Sequence, residues 1–320
     1  MTDTVQIFVT SSIALPLARY RLDFTVEMPL HLPAYAGSTL RGAFGGALRA
    51  TSCMTRQQTC DGCPLLQTCP YAIIFESRPP ADGHSLQKFT QVPHPYVIEP
   101  PCWGEKDYAP GEPLSFHLVL AGRAIDQLPL ILWAFVKGFA RGVGKGDGTA
   151  RLSRVTHVGS EETVILDSPE SSILDHDTAV PPAPTFLGGA ITLRLEPPLR
   201  LQRNGHPIDG RQLTPRDLLT SLVRRVALIT EFHGKGALQL DFSALAKAAE
   251  SIEGEKDLRW RDWARYSSRQ QQKVALGGVV GTWTLRGELE PFMPFLHLGQ
   301  WLHVGKEATF GLGGYSLHAA

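Results

Sequence analysis

Apolar and polar residues alternate from Arg19 to Met28, the two-residue period of a strand with one buried face. The segment Ser38–Arg49 follows as a helix, with Ser38 or Thr39 as its expected cap. Three glycines interrupt it, each at about 1 kcal/mol. Strand patterning returns over Glu112–Ala121 and Ala150–Val158, on either side of an apolar helix, Leu128–Arg141. The second half gives a strand over Ala190–Leu195 and a helix over Leu213–Glu231 with Pro215 in its first turn. It continues with a hairpin over Lys273–Glu290 turning at Gly277-Gly278 or Gly287, a helix after Pro291 and a last strand to Leu317.

The two halves echo one another. An apolar helix leads into Gly142-Val-Gly144-Lys145-Gly146-Asp-Gly148 in the first, and into Val304-Gly305-Lys306 in the second. The two Val-Gly-Lys triplets lie about half the chain apart, each followed by a strand, which marks an internal repeat. Each half reads βαββαβ, the ferredoxin-like unit. The expected class is α+β, with tandem ferredoxin-like (RRM-like) domains at residues 1–180 and 181–320. Ser168–Pro184, with four prolines, is the expected linker or long loop.

Composition narrows the partners. A chain of 320 residues with 43% apolar content can bury two cores. No apolar run is long enough to span a bilayer and no signal pattern opens the chain, so a cytoplasmic, membrane-free protein is expected. Formal net charge is zero, so no global field points to nucleic acid. Charge is nonetheless uneven: Glu161–Asp177 carries acids and no Lys or Arg, whereas Arg259–Lys273 is basic apart from Asp262. Arg261, Arg265, Arg269 and Lys273 recur every four residues and would form one cationic stripe on a helix. Such like charges repel by about 0.2–0.5 kcal/mol per pair, a strain an anionic partner relieves.

The tract from Gly299 to Tyr315 interleaves five glycines with Trp301, Leu302, Val304, Phe310 and Leu312, and carries His303 and Lys306. Glycine lets backbone N–H groups approach a phosphate, and lysine adds charge. A nucleotide P-loop is excluded: Gln300 stands where its first glycine should be, and Glu307 follows the lysine. A tight turn packed on the core is the alternative.

Four of the five cysteines, Cys53, Cys60, Cys63 and Cys69, crowd into 53–70 behind the first helix. In a cytosolic chain that density reads as a four-cysteine metal-binding insertion rather than disulfides. Structural zinc suits four thiolates; an iron–sulfur cluster and free thiols remain alternatives.

Pro33-Ala-Tyr35-Ala-Gly37 through Arg41-Gly-Ala-Phe44, the cysteine knuckle ending Cys69-Pro-Tyr71, Asp257 through Gln270, and His303-Val-Gly-Lys306 through Tyr315 together resemble CRISPR precursor-RNA processing endoribonucleases. These form a branch of the RAMP superfamily with a cysteine-rich insertion. The resemblance implies CRISPR repeat RNA as substrate, crRNA as product and other Cas proteins of an effector complex as partners, in a prokaryotic cytoplasm. It implies metal-independent cleavage in which a ribose 2′-OH attacks the adjacent phosphate, leaving 2′,3′-cyclic phosphate and 5′-OH ends. That reaction asks for a base, an acid and cations on the phosphate. Many relatives take a catalytic histidine from the first helix, where this chain has Gly46. His31 and Tyr35 are the nearest substitutes, and His303 with Lys306 the second pair; His233 is a more distant choice. Expected RNA contacts are Arg41, Lys145, Arg261, Arg265, Arg269, Lys273, Gly305, Gly311 and Gly313. The missing helix histidine keeps open a second function, a catalytically weak or inactive RNA-binding subunit.

Overall fold

Strand β1 (Leu17–Val26) turns Ala18, Tyr20, Leu22, Phe24 and Val26 into a core, while Arg19, Arg21, Asp23 and Thr25 line its opposite face. The computed structural model describes residues 13–78, 92–168, 170–178, 189–267 and 272–320, with the side chains of 265–275 outside that description. The chain divides into two compact units. The first comprises Leu15–Pro181 with Phe232–Gly234; the second is built on Pro182–Glu231 and Lys235–Ala320.

In the first unit β1 is followed by β2 (Leu30–Leu32), α1 (Gly37–Ser52), α2 (Pro70–Phe75), β3 (Tyr96–Glu99) and β4 (Lys106–Tyr108). Then come β5 (Pro113–Ala121), α3 (Leu128–Arg141), β6 (Ala150–Val158) and β7 (Glu162–Leu166). The sheet runs β3-β5-β1-β6-β7, antiparallel throughout. Without the edge strand β7, the sequence β1-α1-β3-β5-α3-β6 in that order is the ferredoxin-like unit. Its core is aromatic: Phe44 stacks on Phe135 at 4.8 Å and Phe24 meets Phe139 at 4.2 Å.

The glycines of α1 have separate reasons. A Cβ on Gly45 would stand 2.2 Å from the Phe75 ring of α2, so a side chain there would force that ring to move; Gly42 and Gly46 face open space. The cap differs from expectation. The helix starts at Gly37 behind Ala36, without a side-chain cap, and Ser38 and Thr39 already lie in its first turn. Residues 170–178 also pack on this unit instead of bridging away from it: Leu174 N–H bonds to Ile165 O, and Ile173 sits against the core. The remainder of the expected linker, 179–184, lies outside the described residues.

The second unit repeats the order. It contains β8 (Ala190–Leu199), β9 (Gln202–Arg203), β10 (His206–Pro207), α4 (Pro215–His233), α5 (Phe242–Ala248) and β11 (Glu253–Arg261). It closes with β12 (Ala264–Ser267), β13 (Gln272–Ala275), β14 (Gly278–Arg286), α6 (Met293–Leu302) and β15 (Ser316–Ala319). Its sheet is β11-β14-β8-β15, the same strand arrangement built from β8-α4-β11-β14-α6-β15. Thr214 and Asp217 cap α4 reciprocally: each accepts the other's backbone N–H on its side chain, at 3.0 and 3.3 Å.

Two expectations fail in this unit. The hairpin read over Lys273–Glu290 does not form, because β13 pairs with β12 and β14 pairs with β11. Gly277-Gly278 separates two ladders instead of joining two strands. The basic Arg259–Lys273 stretch is likewise a strand followed by a hairpin, not a helix, so its four-residue spacing makes no helical stripe. Arg261 ends β11, Arg265 pairs with Val274, and Lys273 pairs with Tyr266. Arg269 lies outside the described residues.

Candidate functional site

The first glycine loop begins where α3 stops at Gly142, whose φ of 109° leaves the helix. Val143 and Gly148 pair across the loop, with Val143 N–H to Gly148 O at 2.8 Å. Lys145 is bridged to His31 of β2. A Cβ on Gly144 would lie 2.2 Å from the His31 carbonyl oxygen, and one on Gly148 would lie 2.5 Å from Leu30 Cα. These glycines therefore let the loop close on β2 and carry an exposed Lys145 to it.

His31 sits on β2 between buried Leu30 and Leu32, so alternation turns its ring outward, 27% exposed. Its Nδ1 is 2.6 Å from Asp107 Oδ1 and its Nε2 is 2.9 Å from Glu105 Oε1. Sequence reasoning missed both carboxylates. Strand β4 spans three residues, too short to show a period, and only its pairing with β2 brings Asp107 opposite His31.

Tyr35, expected beside His31 in catalysis, is instead 4% exposed and packs against Trp103 at 5.0 Å. Burial, with Glu99 nearby, pushes its hydroxyl pKa far up, which suits a wall residue and not an acid–base group. Arg41 is also engaged. Its guanidinium lies 4.2 Å over the Phe75 ring, and its Nε donates to Tyr96 Oη at 3.1 Å.

The second glycine tract has a comparable build but presents different groups. Val304 N–H bonds to Gly313 O, Gly313 N–H to Pro198 O, and Lys306 N–H to Arg200 O. The tract thus folds on the chain leaving β8, as the first loop folds on the chain leaving β1. Gly305 is half-buried with φ of 91°, and Lys306 is exposed. Gly311 and Gly313 are buried, with φ of 96° and 71°; a Cβ on Gly313 would fall 1.8 Å from Val304 O. Their role is packing, so the expected RNA contact at these two positions is withdrawn.

His303 is corrected in the same way. It is 3% exposed, its Nδ1 lies 3.2 Å from Leu312 O, and a Cβ on Gly314 would strike its ring. That histidine holds the tract closed from within. His233 is also internal: Nε2 bonds to Pro93 O at 2.9 Å, and burial drives its pKa down to about 4.

All four clustered cysteines line one small pocket with Thr55, Leu65, Leu66 and Tyr71. Cys53 ends α1 and Cys69 precedes α2, while Cys60 and Cys69 pack against the first core. Four soft sulfurs around one pocket match the donor set of zinc. Among the described residues, no three His, Cys, Asp or Glu side chains converge as metal ligands. The donor chemistry fits a metal, and a bound ion would have to draw the loop inward.

Residues 193–315 match the family model of the CRISPR-associated endoribonuclease Cas6, and residues 15–179 match an N-terminal domain model designated AF_1859_N. The C-terminal part of the chain thus carries a Cas6 endoribonuclease domain. An uncharacterized protein of Archaeoglobus fulgidus is 23% identical over 300 residues, spanning 90% of this chain and 93% of that one. A Cas6 product complex shares the fold with a TM-score of 0.56 at 18% identity, over 94% of this chain and 100% of that chain. Thermus thermophilus Cas6 gives 0.52 at 15% identity, over 95% and 99%. A chain of a partial Cas6–RT–Cas1–Cas2 complex gives 0.53 at 17%, over 95% of this chain and 46% of that one. The two units thus carry the tandem ferredoxin-like architecture. Among the described residues no helix is long and apolar enough to cross a membrane.

Proposed function

We propose that this protein cleaves CRISPR repeat RNA to mature crRNA and retains the repeat-derived product. The observation that carries this reading is the pairing of an outward His31 with an exposed Lys145 on one rim of the first unit. In the proposed reaction the ribose 2′-oxygen attacks the adjacent phosphorus and the bond to the 5′-oxygen breaks, leaving a 2′,3′-cyclic phosphate and a 5′-OH. His31 accepts the 2′-OH proton, and Lys145 offsets charge on the phosphate. Lys306 with the backbone of Gly305 forms a second anion contact, and Arg261, Arg265, Arg269 and Lys273 are proposed as further RNA contacts. The match of residues 193–315 to the Cas6 endoribonuclease model supports this reaction and a handover of crRNA to other Cas proteins. Structural zinc in the Cys53, Cys60, Cys63 and Cys69 pocket is proposed to support the fold rather than the chemistry.

Incubating the purified protein with end-labelled repeat RNA in EDTA tests the activity. A shortened product bearing a 2′,3′-cyclic phosphate is expected, and intact RNA overturns the enzyme reading. One observation favours the second reading, an RNA-binding subunit without activity: Gly46 faces open space on α1, where many relatives place a histidine. Tight RNA binding without cleavage, unchanged by His31→Ala, would establish it.

A further inference from the structure

The two carboxylates beside His31 are held in different ways. Asp107 is its register partner across the β2–β4 ladder, with Oδ1 2.6 Å from Nδ1. Glu105 precedes β4 and belongs to no strand; its Oε1 lies 2.9 Å from Nε2 and its side chain is 67% exposed. The ladder sets the Asp107 backbone directly opposite His31, whereas Glu105 approaches from outside the strands; both side chains are exposed, at 87% and 67%.

A neutral imidazole donates from only one ring nitrogen. Donation of that N–H to Asp107 leaves the lone pair on Nε2, which is free only once Glu105, itself an acceptor, has moved off. The remaining charged groups nearby do not compete for the ring. Lys106 turns its ammonium over the Tyr108 ring at 4.2 Å, and Lys145 meets His31 through the backbone.

We propose that Asp107 is the positioning residue of His31, selecting the Nδ1–H form so that Nε2 performs the proton transfer, with Glu105 as an occupant that anionic RNA displaces. This rests on the reading of His31 as the base in RNA cleavage. Nε2 takes the 2′-OH proton as the new O–P bond forms. The departing 5′-oxygen takes a proton from water, and the imidazolium returns its own to water. Glu105 must leave first, because its negative charge opposes a phosphate at Nε2. The arrangement follows the logic by which a carboxylate fixes the tautomer of a catalytic histidine in other enzymes.

Two measurements on the full chain test this. Ring ¹⁵N NMR at a pH where imidazoles are neutral, with His31→Ala to assign the signal, should show Nδ1–H in the native protein. Asp107→Ala should move that signal toward Nε2–H; an Nε2–H ring in the native protein, or no change in Asp107→Ala, overturns the proposal. This readout needs no cleavage, so it stands even if the RNA stays intact and the enzyme reading falls. In kinetics, Asp107→Ala should lower kcat by at least about tenfold at unchanged KM, part of the ~10²–10⁴ that general acid–base catalysis supplies. It should add nothing to His31→Ala, whereas Glu105→Gln should lower KM and keep kcat. An active His31→Ala would remove the reading of His31; an inactive His31→Ala beside a fully active Asp107→Ala would remove this inference alone. Asp107 is 87% exposed, so an unchanged melting temperature separates positioning from folding.

Discussion

Lys145 reaches His31 through an antiparallel backbone bridge, and that bridge exists because the residue between Val143 and Lys145 is glycine. Gly144 has φ of 82° and no room for a Cβ beside the His31 carbonyl. Gly144→Ala should therefore push the loop off β2. Cleavage is expected to fall by more than about tenfold, because about 1 Å of misplacement costs up to 10²-fold. A variant as active as the native enzyme would separate Lys145 from the site.

The charge of Lys145 has its own signature. Lys145→Ala should weaken RNA binding for every sequence alike and reduce the slope of log affinity against log salt by about 0.7–0.9, the value of one phosphate contact. Filter binding from low to moderate salt measures the slope. An unchanged slope would mean that Lys145 touches no phosphate.

The second tract should respond in stability instead of chemistry. Gly313→Ala forces a side chain against Val304 O, and overpacking of this kind costs about 1–3 kcal/mol. His303→Ala empties the space under the same turn. Urea titration should show both variants destabilised, with kcat retained in the folded fraction. A stable His303→Ala protein that no longer cleaves would return that histidine to the active site.

Several elements were legible because alternation at Arg19–Val26 and helix-length apolar runs at Leu128–Arg141 are properties of local sequence, whereas the strands Tyr96–Glu99 and Glu253–Arg261 were not read. The Val-Gly-Lys echo likewise located two loops with related packing. What sequence could not supply was depth and pairing. His31 and His303 both neighbour apolar residues in sequence, yet one lies outward on a short strand and the other inside a turn of positive-φ residues. The basic stretch misled for a related reason. Residues four apart suggest a helix face, but Glu253–Arg261 finds its partner in Gly278–Arg286, across an intervening hairpin.

The cysteine pocket predicts a metal-dependent fold with metal-independent chemistry. Protein prepared without chelator should carry one zinc per chain by elemental analysis. Stripping it should lower the melting temperature, since metal binding energy at such sites is folding energy. Cys60→Ser with Cys63→Ser should do the same, while RNA cleavage by the remaining folded protein persists in EDTA. A full complement of iron would favour the cluster, and metal-free protein with unchanged melting would leave four packed thiols.

Acid should destabilise the first unit through histidines whose surroundings disfavour the imidazolium. The pKa of His233 falls from the ordinary 6.5 to about 4 because burial disfavours the imidazolium. His117 and His157 shift the same way, again chiefly by burial. Below pH 6.5 the unfolded chain binds a proton that the folded His233 refuses, so stability drops as pH falls toward 4 and levels off beneath it. Above pH 6.5 both states are neutral and the group contributes no slope. The loss from His233 alone is about 3 kcal/mol across that window. His233→Gln retains a donor for Pro93 O but cannot titrate. Urea unfolding at pH 5 and pH 7.5 should therefore show a smaller pH dependence in this variant than in the native protein. Identical pH dependence in the two would mean that His233 is not held neutral by burial.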